Sequence, residues 1–218
     1  MPRAFKIGIV IVAGMLILPI IAIGVLFLGV SLFDRDVSAV ATREIPLANQ
    51  GRLIIDGKRT GRSEHGFSQS AGYRPPGSAD IEWFGDLSDG VDPGVYQAGS
   101  MLVVIDIPGA TIYVRTQKKT WKNFALVFPN DLGPFPISFY AERTGLTSEE
   151  VARISDLGGK REQKWPTTYI QGFDPETRGL KCEYHVDSKS WWPLHFRLSE
   201  DGAHLALVEI GGASTCCR

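Results

Sequence analysis

The sequence predicts a mainly β (α+β) protein: an N-terminal single transmembrane helix followed by one antiparallel β-rich domain with a short helix near 148–157. Three observations carry this expectation. Residues 7–33 form a run of 27 with no charged side chain. The rest of the chain is rich in Gly, Pro, Trp and Phe, and its short apolar runs are bounded by turn residues, the pattern of β structure. Its C-terminal third alternates apolar and polar side chains with period two, as a half-buried sheet does.

The uncharged run comes first. As a helix it would extend roughly 40 Å at about 1.5 Å per residue, more than a hydrocarbon core of about 30 Å requires. A helix also bonds every backbone N–H and C=O within its own segment, which lipid demands. A cleaved signal peptide has an apolar region of only about 7–15 residues. Ala39-Val40-Ala41 has the small-x-small form of a cleavage site, but Asp34, Arg35 and Asp36 precede it, so the run reads as a retained anchor. Arg3 and Lys6 before the run favour a cytoplasmic N-terminus. The expected organisation is a stub and anchor over 1–33, a linker over 34–50 and an extracytoplasmic domain over 51–218. In a Gram-negative envelope that is an inner-membrane protein with a periplasmic C-terminal domain.

Beyond the anchor lie 21 of the 23 Lys and Arg residues and all 24 acidic ones, a net charge of −3. So balanced a surface points away from nucleic acid. The cysteines are Cys182, Cys216 and Cys217. In an oxidising compartment Cys182 would pair with Cys216 or Cys217, or else stay a buried thiol. No Cys-x-x-Cys spacing supports structural zinc, and no cofactor is called for.

In order along the domain, residues 52–56 read as a strand, 57–80 as a long loop dense in Gly, Ser, Arg and Pro, and 81–84 as a short strand. Residues 85–99 read as an acidic loop. Strands over 101–107 and 111–115 flank Pro108-Gly109, which suits the centre of a type II turn. Residues 123–128 and 137–140 read as further strands. Thr147 and Glu150 form a capping box, Val151, Ile154 and Leu157 supply a helical apolar face, and Gly158-Gly159 ends it. After a strand over 167–171, Leu180, Cys182, Tyr184 and Val186 alternate with Lys181, Glu183 and His185. Leu194, Phe196 and Leu198 alternate likewise with His195 and Arg197. Asp201-Gly202 turns the chain into 204–210, which is apolar at both parities and so is placed centrally, covered on both faces.

Four constellations are candidate sites. Ser63, Glu64 and His65 supply nucleophile, carboxylate and base types, although neighbours on an extended loop point apart. Asp86, Asp89 and Asp92 on a Gly-containing loop supply hard oxygen ligands for a cation, without the spacing of a calcium loop. Glu183, His185, His195 and Arg197 share the polar side of the C-terminal meander, where a cross-strand Glu183–His195 pair would favour the imidazolium. Trp191 and Trp192, with Trp165, Tyr169 and Phe173 nearby in sequence, supply interface anchors, one tryptophan facing the core and the other the surface.

An inert anchor, a β-rich domain and no catalytic motif favour a module that binds a protein partner, such as a toxin-neutralising immunity protein or an envelope assembly factor. Trp191, Trp192, Trp165 and Arg197 are its expected binding residues. The alternatives are an envelope hydrolase using His, Asp or Glu chemistry and a structural subunit of a membrane complex.

Overall fold

The computed structural model describes residues 41–59, 67–88, 92–128, 136–158, 167–185, 190–212 and 214–215. The uncharged run 7–33 lies outside these, as do Ser63, Glu64, His65, Asp89, Trp165, Cys216 and Cys217. Among the described residues no helix is long and apolar enough to cross a membrane. Contacts divide the chain into a unit of Met1–Ala41 with Gly57–Phe67, described only at its edges, and a unit of Thr42–Asp56 with Ser68–Arg218.

The described residues form three antiparallel sheets and two short helices. Each sheet is a meander of strands consecutive in the chain. The first holds β1 (Ala41–Pro46), β2 (Arg52–Arg59), β3 (Phe67–Arg74) and β4 (Glu82–Leu87). The second holds β5 (Gly94–Ala98), β6 (Met101–Asp106), β7 (Thr111–Arg115) and β8 (Trp121–Ala125). Helices α1 (Ile137–Thr144) and α2 (Ser148–Gly158) follow. The third sheet runs in the order β12 (Leu205–Ile210), β11 (Ser190–Leu198), β10 (Gly179–His185), β9 (Thr167–Asp174), and the short β13 (Ser214–Thr215) also pairs with β11.

The second sheet is buried on both sides, and β6 shows it most clearly, all six of its residues being inaccessible. Val103, Ile105, Ile112 and Val114 face a large core shared with the third sheet and with Tyr140, Val151 and Ile154 of the helices. Leu102, Val104 and Tyr113 face a smaller core shared with Leu53, Ile55, Ala71, Tyr73 and Leu87 of the first sheet. Alternation along a strand sends successive side chains to opposite sides, so two cores share one layer.

Several elements differ from the sequence expectation. The linker and long loop contain β1 and β3. Strand β3 was hidden by its small residues, yet Ala71 and Tyr73 are buried. Gly72 pairs with Trp83, and Ile81 and the Trp83 ring take the space of the missing side chain: a Cβ there would lie 2.5 Å from Ile81 Cγ2 and 2.9 Å from Trp83 Cε3. The acidic loop likewise contains the end of β4 and all of β5, with Gly85 admitting the Tyr113 ring against the backbone. Residues 137–140 are helical rather than extended. Pro136 starts α1 and left-handed Gly145 ends it, so Tyr140 and Thr144, four residues apart, are buried on one side.

The β6–β7 hairpin is present, but its positive φ falls on Ala110 (45°) and not on Gly109, which excludes a type II turn. Gly109 is needed for a different reason: a Cβ there would lie 2.6 Å from Ser88 Oγ and closer still to Asp106 Oδ2. Strand β12 is an edge strand, not a central one. Leu205 and Leu207 are buried while Val208 is 52% exposed, so only one of its two apolar parities is covered.

Helix α2 begins with the expected capping box. The Thr147 N–H and hydroxyl donate to Glu150 Oε2 (2.8 and 2.9 Å), and the Glu150 N–H donates to Thr147 Oγ1 (3.2 Å). Its other carboxylate oxygen, Oε1, accepts the Leu207 N–H of β12 at 2.8 Å. One side chain thus closes a helix start and fastens it to a sheet edge.

Candidate functional site

The third sheet has one side in the large core and the other open. Its register follows from residue parity: Leu180, Cys182, Tyr184, Leu194, Phe196 and Leu198 are buried, so the odd-numbered residues of β10 and β11 face outward. Pairing places His185 opposite Trp191 and Thr167, Glu183 opposite Pro193 and Tyr169, and Lys181 opposite His195. Residues of two of the four predicted constellations, His185 and Glu183 from one and Trp191 with Tyr169 from the other, therefore meet at one end of this open side.

His185 is the centre of that group. Its Nε2 lies 3.1 Å from Glu183 Oε2, and its ring meets the Tyr169 ring edge-on with centroids 5.1 Å apart. Gln171 Nε2 donates to the other Glu183 oxygen. The two side chains keep only partial solvent access, His185 28% and Glu183 20%, whereas Tyr169 is 49% exposed. Trp191 is half-buried. The result is a shallow surface of rings around a carboxylate–imidazole pair, with polar groups already engaged by their neighbours.

The expected Glu183–His195 pair does not form. The β10–β11 register sets Glu183 against Pro193, and His195 Nδ1 instead approaches Glu209 Oε2 of β12 at 3.4 Å. Arg197 is exposed further along the same side, opposite Gly179 and Ala206. Trp192 has the opposite parity and packs against the large core, dividing the tryptophan pair as expected. Cys182 is a buried thiol, held protonated by burial; its prospective disulfide partners lie outside the described residues.

The acidic candidates are drawn into other contacts. Asp86 accepts from Ser70 Oγ at 2.9 Å, and Asp92 pairs with Arg43 at 2.5 Å. Among the described residues no three His, Cys, Asp or Glu side chains converge as metal ligands do. Glu82, upstream of them, is the acceptor in a two-pronged ion pair with Arg115 of β7. Arg115 Nε and Nη2 donate to its two oxygens at 2.6 and 2.8 Å, and Trp121 Nε1 adds a bond of 3.1 Å. The Arg115 hydrogen bond holds the Glu82 carboxyl below the usual range. This cluster, with Arg115 over the Tyr73 ring and Trp121 stacked on Phe84, seals the smaller core.

Gln171, Lys181 and Glu209 belong to the open side and were not singled out from sequence. Their signal was the same alternation that revealed Glu183 and His185, extended to the strands on either side. A bulge between His195 and Phe196 shifts the β11–β12 register, so the His195–Glu209 contact had no readable spacing.

No protein-family model, curated protein sequence or solved structure matches the chain.

Proposed function

We propose that the chain is a membrane-anchored binding module that engages a protein partner through the open side of its third sheet. The observation that carries this reading is the meeting of Tyr169, His185 and Trp191 on the solvent side of a sheet whose other side is filled core. Large rings with few rotatable bonds give contact area at low entropic cost, and such residues dominate binding energy in protein interfaces. The mixture of Lys181, Glu183, Arg197 and Glu209 around them resembles the polar rim that sets specificity. Residues 7–33 supply the anchor, and the binding domain faces the extracytoplasmic space. An immunity protein or an envelope assembly factor would use such a surface. A hydrolase built on the Glu183–His185 contact of 3.1 Å is the second reading.

The test is site-specific photo-crosslinking in spheroplasts. A photoreactive side chain at Tyr169 or Trp191 is expected to give a discrete adduct, and the same group at Trp83 of the first sheet is not. Trp191→Ala should weaken the partner's binding about 30-fold, the effect of losing a central aromatic anchor. Equal adducts at all three positions, or unchanged binding by the alanine variant, overturn the proposal. Turnover of envelope material that disappears in His185→Ala with the fold intact would replace it with the hydrolase.

A further inference from the structure

A neutral histidine donates from one ring nitrogen and accepts at the other, and the bond made by one nitrogen decides what the other offers. On the open side of the third sheet that choice is forced. His185 Nε2 lies 3.1 Å from Glu183 Oε2. A carboxylate only accepts, so the hydrogen of the neutral ring sits on Nε2 and Nδ1 is left as an acceptor. Glu183 is itself held, because Gln171 Nε2 donates to its Oε1. Gln171 is the extra residue of a bulge: Lys181 pairs with Gly172 and Cys182 with Ile170, and such a bulge re-aims a side chain. The Tyr169 ring packs edge-on against the imidazole with centroids 5.1 Å apart, and Trp191 stands opposite on β11. No described residue is bonded to Nδ1.

We propose that His185 is the pH-sensitive contact of this surface: when neutral, its Nδ1 accepts a hydrogen bond from an N–H or O–H donor of the protein partner, and protonation releases the partner. The inference rests on the reading of this side as the docking surface and adds its regulation. Both Glu183 oxygens already have donors when the ring is neutral, so a second ring proton brings Glu183 no further bond. That proton would instead turn Nδ1 from acceptor to donor, facing the partner's donor with another. A covering partner also takes water from the ring, which disfavours its charged form. Among the described residues, the titratable groups that face His185 are Glu183 on its own strand and the Tyr169 phenol of β9. From β11 it meets the uncharged Trp191, while Lys181, His195 and Glu209 lie further along the same side.

The experiment has two arms. The first needs no partner: nitrogen NMR of the full chain in detergent, labelled at histidine, with the His185 signals identified by their loss in His185→Gln. At about pH 8 the ring should carry its hydrogen on Nε2 and none on Nδ1, and the opposite tautomer overturns the inference. The second arm places the photoreactive side chain at Trp191 in spheroplasts and moves the outside medium from about pH 8 to about pH 5, the range in which histidine changes charge. Adduct yield should fall about tenfold in the otherwise unchanged chain and in His195→Gln, as for loss of one linked site. In His185→Gln, whose amide keeps a donor for Glu183 but cannot titrate, the yield should stay level. A yield independent of pH in the otherwise unchanged chain, or an equal fall in His185→Gln, overturns the inference and leaves the docking surface standing. No adduct at any pH overturns both.

Discussion

The middle sheet buries its two sides by different means. Toward the third sheet it meets an apolar core in which Phe128 packs edge-on to Tyr184 and parallel to Phe196, closed by the helices. Toward the first sheet it meets a smaller core whose rim is polar: Glu82, Arg115 and the indole of Trp121 are bonded to one another over Tyr73 and Phe84. The first side depends on volume, the second on a charge pair that must remain charged. Strands β6 and β7 contribute to both, so the two sides are expected to unfold together.

The largest effect should come from the apolar side. Phe196 is 1% exposed, and Phe196→Ala leaves a cavity among rings that cannot collapse into it. The expected loss is about 4 kcal/mol, read as a shift in the urea midpoint with an unchanged slope. A second transition appearing in this variant would break the comparison, since it would show the smaller core surviving alone.

Arg115→Ala tests the polar side. It leaves Glu82 with only the Trp121 donor and should cost about 2 kcal/mol. The pH dependence sharpens the contrast. Glu82 is held below its ordinary value of 4.5, chiefly by the Arg115 hydrogen bond, so its contribution is complete above 4.5 and is lost as pH falls through the lower folded value. Melting temperatures followed from neutrality to below 4.5 should fall less steeply for Arg115→Ala than for wild type. Phe196→Ala should keep the wild-type slope. Equal acid slopes in all three proteins would remove the distinction between the two sides.

These differences explain what could be read from the chain. The third sheet was legible because one side is dry and the other wet, which prints period two on residues 180–185 and 194–198. The capping box of α2 was legible because its bonds span three residues. In the first sheet β2 and the start of β4 were legible as 52–56 and 81–84, but β1, β3 and the end of β4 were not. Gly72 and Gly85 read as loop, and it is the side chains packed over them, Ile81 and Trp83 on the one and Tyr113 on the other, that fit them to a strand. The run 137–140 is too short for periodicity to separate helix from strand, and the deciding signals were Pro136 and Gly145 at its ends. For the site, residue types and sides were readable but partners were not. Register depends on turns and bulges, so Glu183 met Pro193 and His195 met Glu209.

The smallest effect separates two roles of one residue on the apolar side. Thr147→Ala removes only the helix cap and should cost about 1 kcal/mol. Glu150→Ala removes the cap and also the acceptor of the Leu207 N–H, so its cost should exceed that of Thr147→Ala by about 1 kcal/mol. Stability alone would not say where the difference arises, but amide exchange does. Leu207 should exchange faster in Glu150→Ala and at the wild-type rate in Thr147→Ala, because only the first variant frees that N–H. Equal acceleration in both would mean that the helix start, and not the carboxylate itself, protects the β12 edge.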